Sequence, residues 1–116
     1  MTTDPRFADL ITPLLLLDEA KMMQNIDRLA NHTKALNISL RPHLKTAKSV
    51  DVARHLLAGG DGPATVSTLA EAEVFFAAGV RDILYAVGIA PQKMPRVLAL
   101  RSNGCDLSVI LDNAAQ

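Results

Sequence analysis

The chain has 116 residues, is 49% hydrophobic and 21% charged, and carries no formal net charge, which is the make-up of one globular domain with room for a core. Balanced charge excludes nucleic acid and anionic membrane as main partners, and three Phe, one Tyr and no Trp leave no platform for stacking bases. The lone Cys105 excludes an internal disulfide framework, no run of about 18 apolar residues offers a membrane span, and MTTDPRFADL is too acidic and too broken by Pro5 for a leader; the expected location is the cytoplasm.

The elements alternate. TPLLLLD (12–18) is a short apolar run that predicts a buried strand, closed by Asp18 as a helix cap. From Glu19 the apolar residues Met22, Met23, Ile26, Leu29, Ala30 and Leu36 fall at helical spacing, with Lys21, Asp27, Arg28 and Lys34 opposite. ISLRPHLK (38–45) predicts the second strand. Ser49 caps the helix that follows, which stops at Gly59 and Gly60. ATVS (64–67) predicts a third strand, and Thr68-x-x-Glu71 a capping box that opens a helix ending at Gly79. DILYAVG (82–88) is the fourth strand. Pro91 and Pro95 mark the first turn of the next helix, which ends near Asn103-Gly104, and DLSVILD (106–112) is the fifth strand.

Strands alternating with helices at short spacing imply βαβ units and a parallel sheet. Either an open doubly wound sheet or an arc of a (β/α)₈ barrel satisfies the pattern. A barrel needs about 250 residues. The expectation is therefore an α/β chain that supplies about four βα units, the N-terminal part of a TIM-type barrel. Its bare last strand would then invite oligomerisation.

RPHLK poses the chemical question. On a strand, Arg41, His43 and Lys45 share one face, and Leu40, Pro42 and Leu44 the other. Three cations in register repel each other. Ligand sites of parallel α/β folds lie at the C-terminal strand ends, where Lys45 is placed. Neighbouring charge or partial burial there disfavours the ammonium and favours the neutral amine that a Schiff-base nucleophile needs. An anionic carbonyl compound answers both demands, and pyridoxal phosphate is the leading case.

The same stretch carries a resemblance. RPHLKTAKS, followed by ATVSTLAEAEVFFAAGVRDILYAVGI, is similar to the N-terminal half of the D-threonine aldolase and D-serine dehydratase family, alanine-racemase-like fold-type III pyridoxal phosphate enzymes. The match runs from about residue 12 to 112. It takes in Asn25-Ile26, the strand Arg41-Pro42-His43-x-Lys45-Thr46, Glu71-Ala72-Glu73, and Ala78 to Leu84. Ala47 stands where the family often has a second histidine.

The resemblance implies a lyase acting on D-amino acids, by retro-aldol cleavage or by dehydration, with Lys45 as the cofactor lysine. His43, Thr46, Arg41 and Tyr85 are the candidate cofactor contacts. It also implies a divalent cation whose ligands lie outside this chain, a homodimer or higher oligomer, and a small D-amino acid as substrate. Residues 1–116 would be an N-terminal piece, inactive alone, with the rest of the barrel and a C-terminal β-domain elsewhere. An amino-acid racemase of the same fold and a non-catalytic pyridoxal phosphate carrier are the alternatives. Arg41 also suits an ion pair, and Tyr85 packing. Ser67, Thr68 and Asp112 sit at strand ends and could face the site. His32 and His55 are spaced unlike metal ligands, and Met22-Met23 is core filler.

Overall fold

The computed structural model describes residues 4–115; Met1–Thr3, which open the segment read as too acidic for a leader, and Gln116 lie outside the described residues. The helices begin where the sequence placed caps. Asp18 accepts from the Lys21 N–H and opens α1 (Glu19–Ala35), and Ser49 accepts from the Val52 N–H and opens α2 (Val50–Leu56). Thr68 and Glu71 form a reciprocal capping box at the head of α3 (Leu69–Ala77). A 3₁₀ turn at Pro91–Lys93 leads into α4 (Met94–Ser102), which has Pro95 in its first turn.

Strands β1 (Ala64–Val66), β2 (Asp82–Gly88) and β3 (Asp106–Ile110) form one parallel sheet in the order β1-β2-β3. Lateral partners in a parallel sheet project to the same face. The register therefore defines alternating rows: Ala64–Ile83–Leu107, then Thr65–Leu84–Ser108, then Val66–Tyr85–Val109. The first and third rows pack against α3 and α4 in a core with Leu69, Ala72, Phe75, Val97 and Leu100. The middle row looks the other way.

Two of the five expected strands are absent among the described residues. Residues 38–45 make only an isolated bridge, His43 with Thr65. The reason is hydrogen bonding: the Leu44 N–H donates to the Thr65 carbonyl and the Thr65 N–H to the Pro42 carbonyl, while Pro42 itself has no N–H to extend the ladder. Residues 12–18 have no strand partner at all, and Leu15 is fully exposed. The arrangement is a three-stranded parallel sheet with a beginning of a fourth on its β1 side, and not a closed barrel.

One glycine is required by close approach. Gly62 has φ +130°, and a Cβ there would lie 2.7 Å from the Asp82 carbonyl oxygen. The turn before β1 thus runs against the start of β2, where the Asp61 carbonyl accepts from the Arg81 and Asp82 N–H groups.

The molecule is elongated. A compact domain of this length has a radius of gyration of about 13 Å; the chain has 17.6 Å and extends 61 Å along its longest axis. The excess comes from the N-terminal third. Helix α1 has seventeen residues and none of them is buried. No helix among the described residues is long and apolar enough to cross a membrane.

Candidate active site

The C-terminal strand ends are where parallel α/β folds place their ligands. At that end the chain leaves the His43 bridge, buries Leu44 to 3% exposure, and turns through residues 44–47 before α2. Leu44 is the peg: its side chain joins the core with Ala53, and its carbonyl accepts from the Lys48 N–H. Lys45 follows immediately and is exposed.

The loop ties back to His43. The Lys45 N–H donates to His43 Nδ1 at 3.3 Å, and the Thr46 hydroxyl donates to the His43 carbonyl at 3.4 Å. His43 Nδ1 is thereby engaged as an acceptor, and its Nε2 makes no hydrogen bond among the described residues. The Lys45 ammonium itself makes no hydrogen bond or ion pair among the described residues. Of the other lysines, Lys21 pairs with Asp18, Lys48 with Glu71, and Lys93 donates to the Tyr85 hydroxyl.

The structure does not bring Arg41 to this end. Its guanidinium forks onto Asp82, at 2.7 and 3.1 Å, and donates to the Ala64 carbonyl. Asp82 and Ala64 are the first residues of β2 and β1, so this pair closes the opposite end of the sheet. The Asp82 carboxylate takes up the Arg41 charge and so relieves the repulsion foreseen among Arg41, His43 and Lys45. Tyr85 is likewise apart from Lys45. It is fully buried in the row that faces α3 and α4, and its hydroxyl accepts from Lys93 Nζ at 2.9 Å.

His43, Thr65, Leu84 and Ser108 share the row on the other face of the sheet, directly below the Lys45 loop. Ser67 and Thr68, at the end of β1, are committed to Glu71. Glu71 Oε2 accepts from the Ser67 N–H at 2.7 Å, the Ser67 hydroxyl at 2.9 Å and the Thr68 N–H at 3.0 Å. Burial pushes the Glu71 carboxyl up, but these bonds and Lys48 together outweigh it and hold it below the ordinary range. Asp112, just past β3, lies against Gly88, where a Cβ would come within 3.1 Å of its carboxylate.

The sequence signalled Glu71 only as a cap. Its ion pair with Lys48 joins residues 23 apart, and no local pattern in the sequence announces it. A cavity of about 260 Å³ between α2 and α3, lined by Arg54, Leu57, Asp61, Phe75 and Gly79 among others, opens at the N-terminal side of the sheet. It is remote from Lys45. Among the described residues no three His, Cys, Asp or Glu side chains come together to hold a metal ion. Cys105 is buried, and burial, aided by Asp106, pushes its thiol up, so it is no nucleophile.

Comparison with known proteins agrees with the motifs. No family model matches the chain. It is 51% identical over 104 residues to D-threo-3-hydroxyaspartate dehydratase of Delftia sp. (strain HT23), which covers 90% of this chain and 27% of that protein. The solved structure of that dehydratase matches with a TM-score of 0.88 over 92% of this chain and 28% of that one. An alanine-racemase-like protein of Idiomarina loihiensis matches at 50% identity with a TM-score of 0.94, over 99% of this chain and 31% of that one. D-serine dehydratase of Dictyostelium discoideum is 30% identical over 110 residues, 90% of this chain and 28% of that protein. The chain thus spans under a third of the length of each of these proteins. Over most of its own length the chain is similar to D-threo-3-hydroxyaspartate dehydratase, D-serine dehydratase and D-threonine aldolase, and it shares the fold of the matching part of an alanine-racemase-like protein.

Proposed function

We propose that this chain is the N-terminal part of a pyridoxal phosphate-dependent lyase acting on a 3-hydroxy D-amino acid, and that Lys45 is the residue that binds the cofactor covalently. The observation that carries this is the position of Lys45: a primary amine without a partner among the described residues, exposed at the C-terminal end of a parallel sheet, within an R-P-H-x-K-T stretch. The sheet itself would be the first arc of a (β/α)₈ barrel, with the segment around His43 as its opening strand.

The residues present fit the aldehyde end of such a cofactor. Lys45 Nζ is free to react once it loses its proton, and nothing internal holds that proton in place. His43 Nδ1 accepts from the Lys45 N–H, which leaves Nε2 as the ring atom that would meet an electron-rich ring atom or phenolate oxygen. Thr46 supplies a hydroxyl on the same loop. When bound, the cofactor supplies the electron sink that labilises a bond at the amino-acid Cα. Lys45 would hold the cofactor and, as a free amine, would be the base on this chain that moves the Cα proton. Arg41 and Tyr85 serve the fold: one locks the far end of the sheet, the other fills the core. Phosphate and divalent-cation binding are assigned to the remainder of the longer protein.

Dehydration is favoured over retro-aldol cleavage because the 51% identical relative is a D-threo-3-hydroxyaspartate dehydratase. Both reactions begin at the same anchor. The isolated chain is expected to show no turnover.

Borohydride trapping tests the assignment. The chain is incubated with pyridoxal phosphate, reduced and digested, and the adduct located by mass spectrometry. Lys34 is the internal standard, since among the described residues its ammonium too makes no hydrogen bond or ion pair, and it lies in the last turn of α1. An excess of label on Lys45 over Lys34 is expected. Equal labelling of the two would overturn Lys45 as a selective anchor in this chain.

A further inference from the structure

Glu71 does more than cap α3. A capping glutamate needs one oxygen, and Oε2 takes the whole of that work with three donors. The second oxygen, Oε1, is buried and accepts no hydrogen bond of good geometry. Its one cation is Lys48, with Nζ at 3.4 Å. A buried carboxylate oxygen left to a single partner depends on that partner to offset its lost hydration.

Lys48 has its own anomaly. Its backbone has φ +48°, the left-handed region that disfavours side chains with a Cβ and that glycine or asparagine would occupy more readily. A lysine persists there while its N–H bonds the Leu44 carbonyl and the next residue, Ser49, caps α2. Both neighbours fix the backbone, and the side chain spans to Glu71 in the first turn of α3. The loop 44–48 is therefore held at one end by Leu44 in the core and at the other by the ion pair. Lys45 lies between the two points.

We infer that Glu71 is a positioning residue for Lys45, acting through Lys48 as a latch that fixes the loop bearing the cofactor amine. The inference rests on the reading of Lys45 given above. Lys48 is the closing half: 64% of its side chain is exposed, against 9% of Glu71. Removing its charge disturbs little packing, so the latch can be opened without unfolding the core.

The test uses Lys48→Met and Lys48→Arg in the 116-residue chain, with two readouts. Hydrogen exchange of the amides of residues 45–48 reports the loop directly and needs no cofactor. Borohydride labelling reports the Lys45-to-Lys34 ratio. Lys48→Met is expected to speed exchange in 45–48 by about tenfold, to lower the labelling ratio by a similar factor, and to leave exchange in β2 unchanged. Lys48→Arg is expected to restore both. Glu71→Gln added to Lys48→Met is expected to bring no further acceleration in 45–48, because the two act as one unit. Unchanged loop exchange in Lys48→Met overturns the latch, and so does a Lys48→Arg variant that behaves as Lys48→Met. Equal labelling of Lys45 and Lys34 in the unsubstituted chain overturns the anchor instead, and the exchange data still decide the latch.

Discussion

The two halves of this chain solve the same problem to different degrees. From Ala64 onward, each strand has a partner and each helix a sheet to cover, and Ile83, Tyr85 and Ala72 are fully buried. Before Leu44 no described residue is buried. Leu15 is fully exposed, Ile11 is 89% exposed, and Leu29 and Leu36 leave about half of their surface in water along a helix that packs against α2. The difference separates local from non-local causes. Caps and 3.6-residue spacing suffice to specify α1; burying its stripe requires a surface that this length of chain does not provide.

The largest effect should come from the packed half. Phe75→Ala removes a fully covered ring from between α3 and the sheet, and a loss of about 3–5 kcal/mol in denaturant unfolding is expected. A loss below 1 kcal/mol would show that the sheet half is itself loosely packed. Next is Gly62→Ala, expected to cost about 2 kcal/mol, since the new Cβ meets the Asp82 backbone and the left-handed φ strains any L side chain. A neutral result would mean that the turn shifts freely against β2.

Acid sharpens the comparison further. The folded state holds the Glu71 carboxyl below its ordinary 4.5, so its contribution is fully present above that value and is lost as pH falls through the depressed one. Glu73, held down chiefly by its hydrogen bonds from Arg96, acts in the same direction. Stability should therefore decline below pH 4.5, and Glu71→Gln should flatten part of that decline. An identical acid profile in the variant would remove Glu71 from the account. The smallest effect belongs to the exposed half. Leu15→Ser should alter stability by less than about 0.5 kcal/mol yet reduce self-association, read by light scattering. A large destabilisation would reveal a hidden partner for residues 12–18.

What the sequence disclosed follows the same division. Asp18, Ser49 and Thr68-x-x-Glu71 announce helix starts because a cap is a contact within four residues. DILYAVG gave β2 to the residue, since an apolar run between Arg81 and Pro91 has few other uses. RPHLK was read as a full strand and is a single bridge, because a strand exists only as far as its neighbour accepts hydrogen bonds. Tyr85 could not be assigned a face, since a continuous apolar strand hides its parity. The partners of Arg41 and Lys48 lie 41 and 23 residues away and left no local trace. The motif singled out Lys45; the residues that hold its loop emerged only from the fold.

Tyr85 has a practical consequence. It is the only tyrosine, there is no tryptophan, and its ring is sealed among β2, α3 and α4 with its hydroxyl on Lys93. The ultraviolet emission of the chain is therefore a one-site optical signal from the packed half. A melt followed by that light would be blind to residues 10–17 and α1, and its difference from a helix-sensitive circular dichroism melt would measure how independently the two halves come apart.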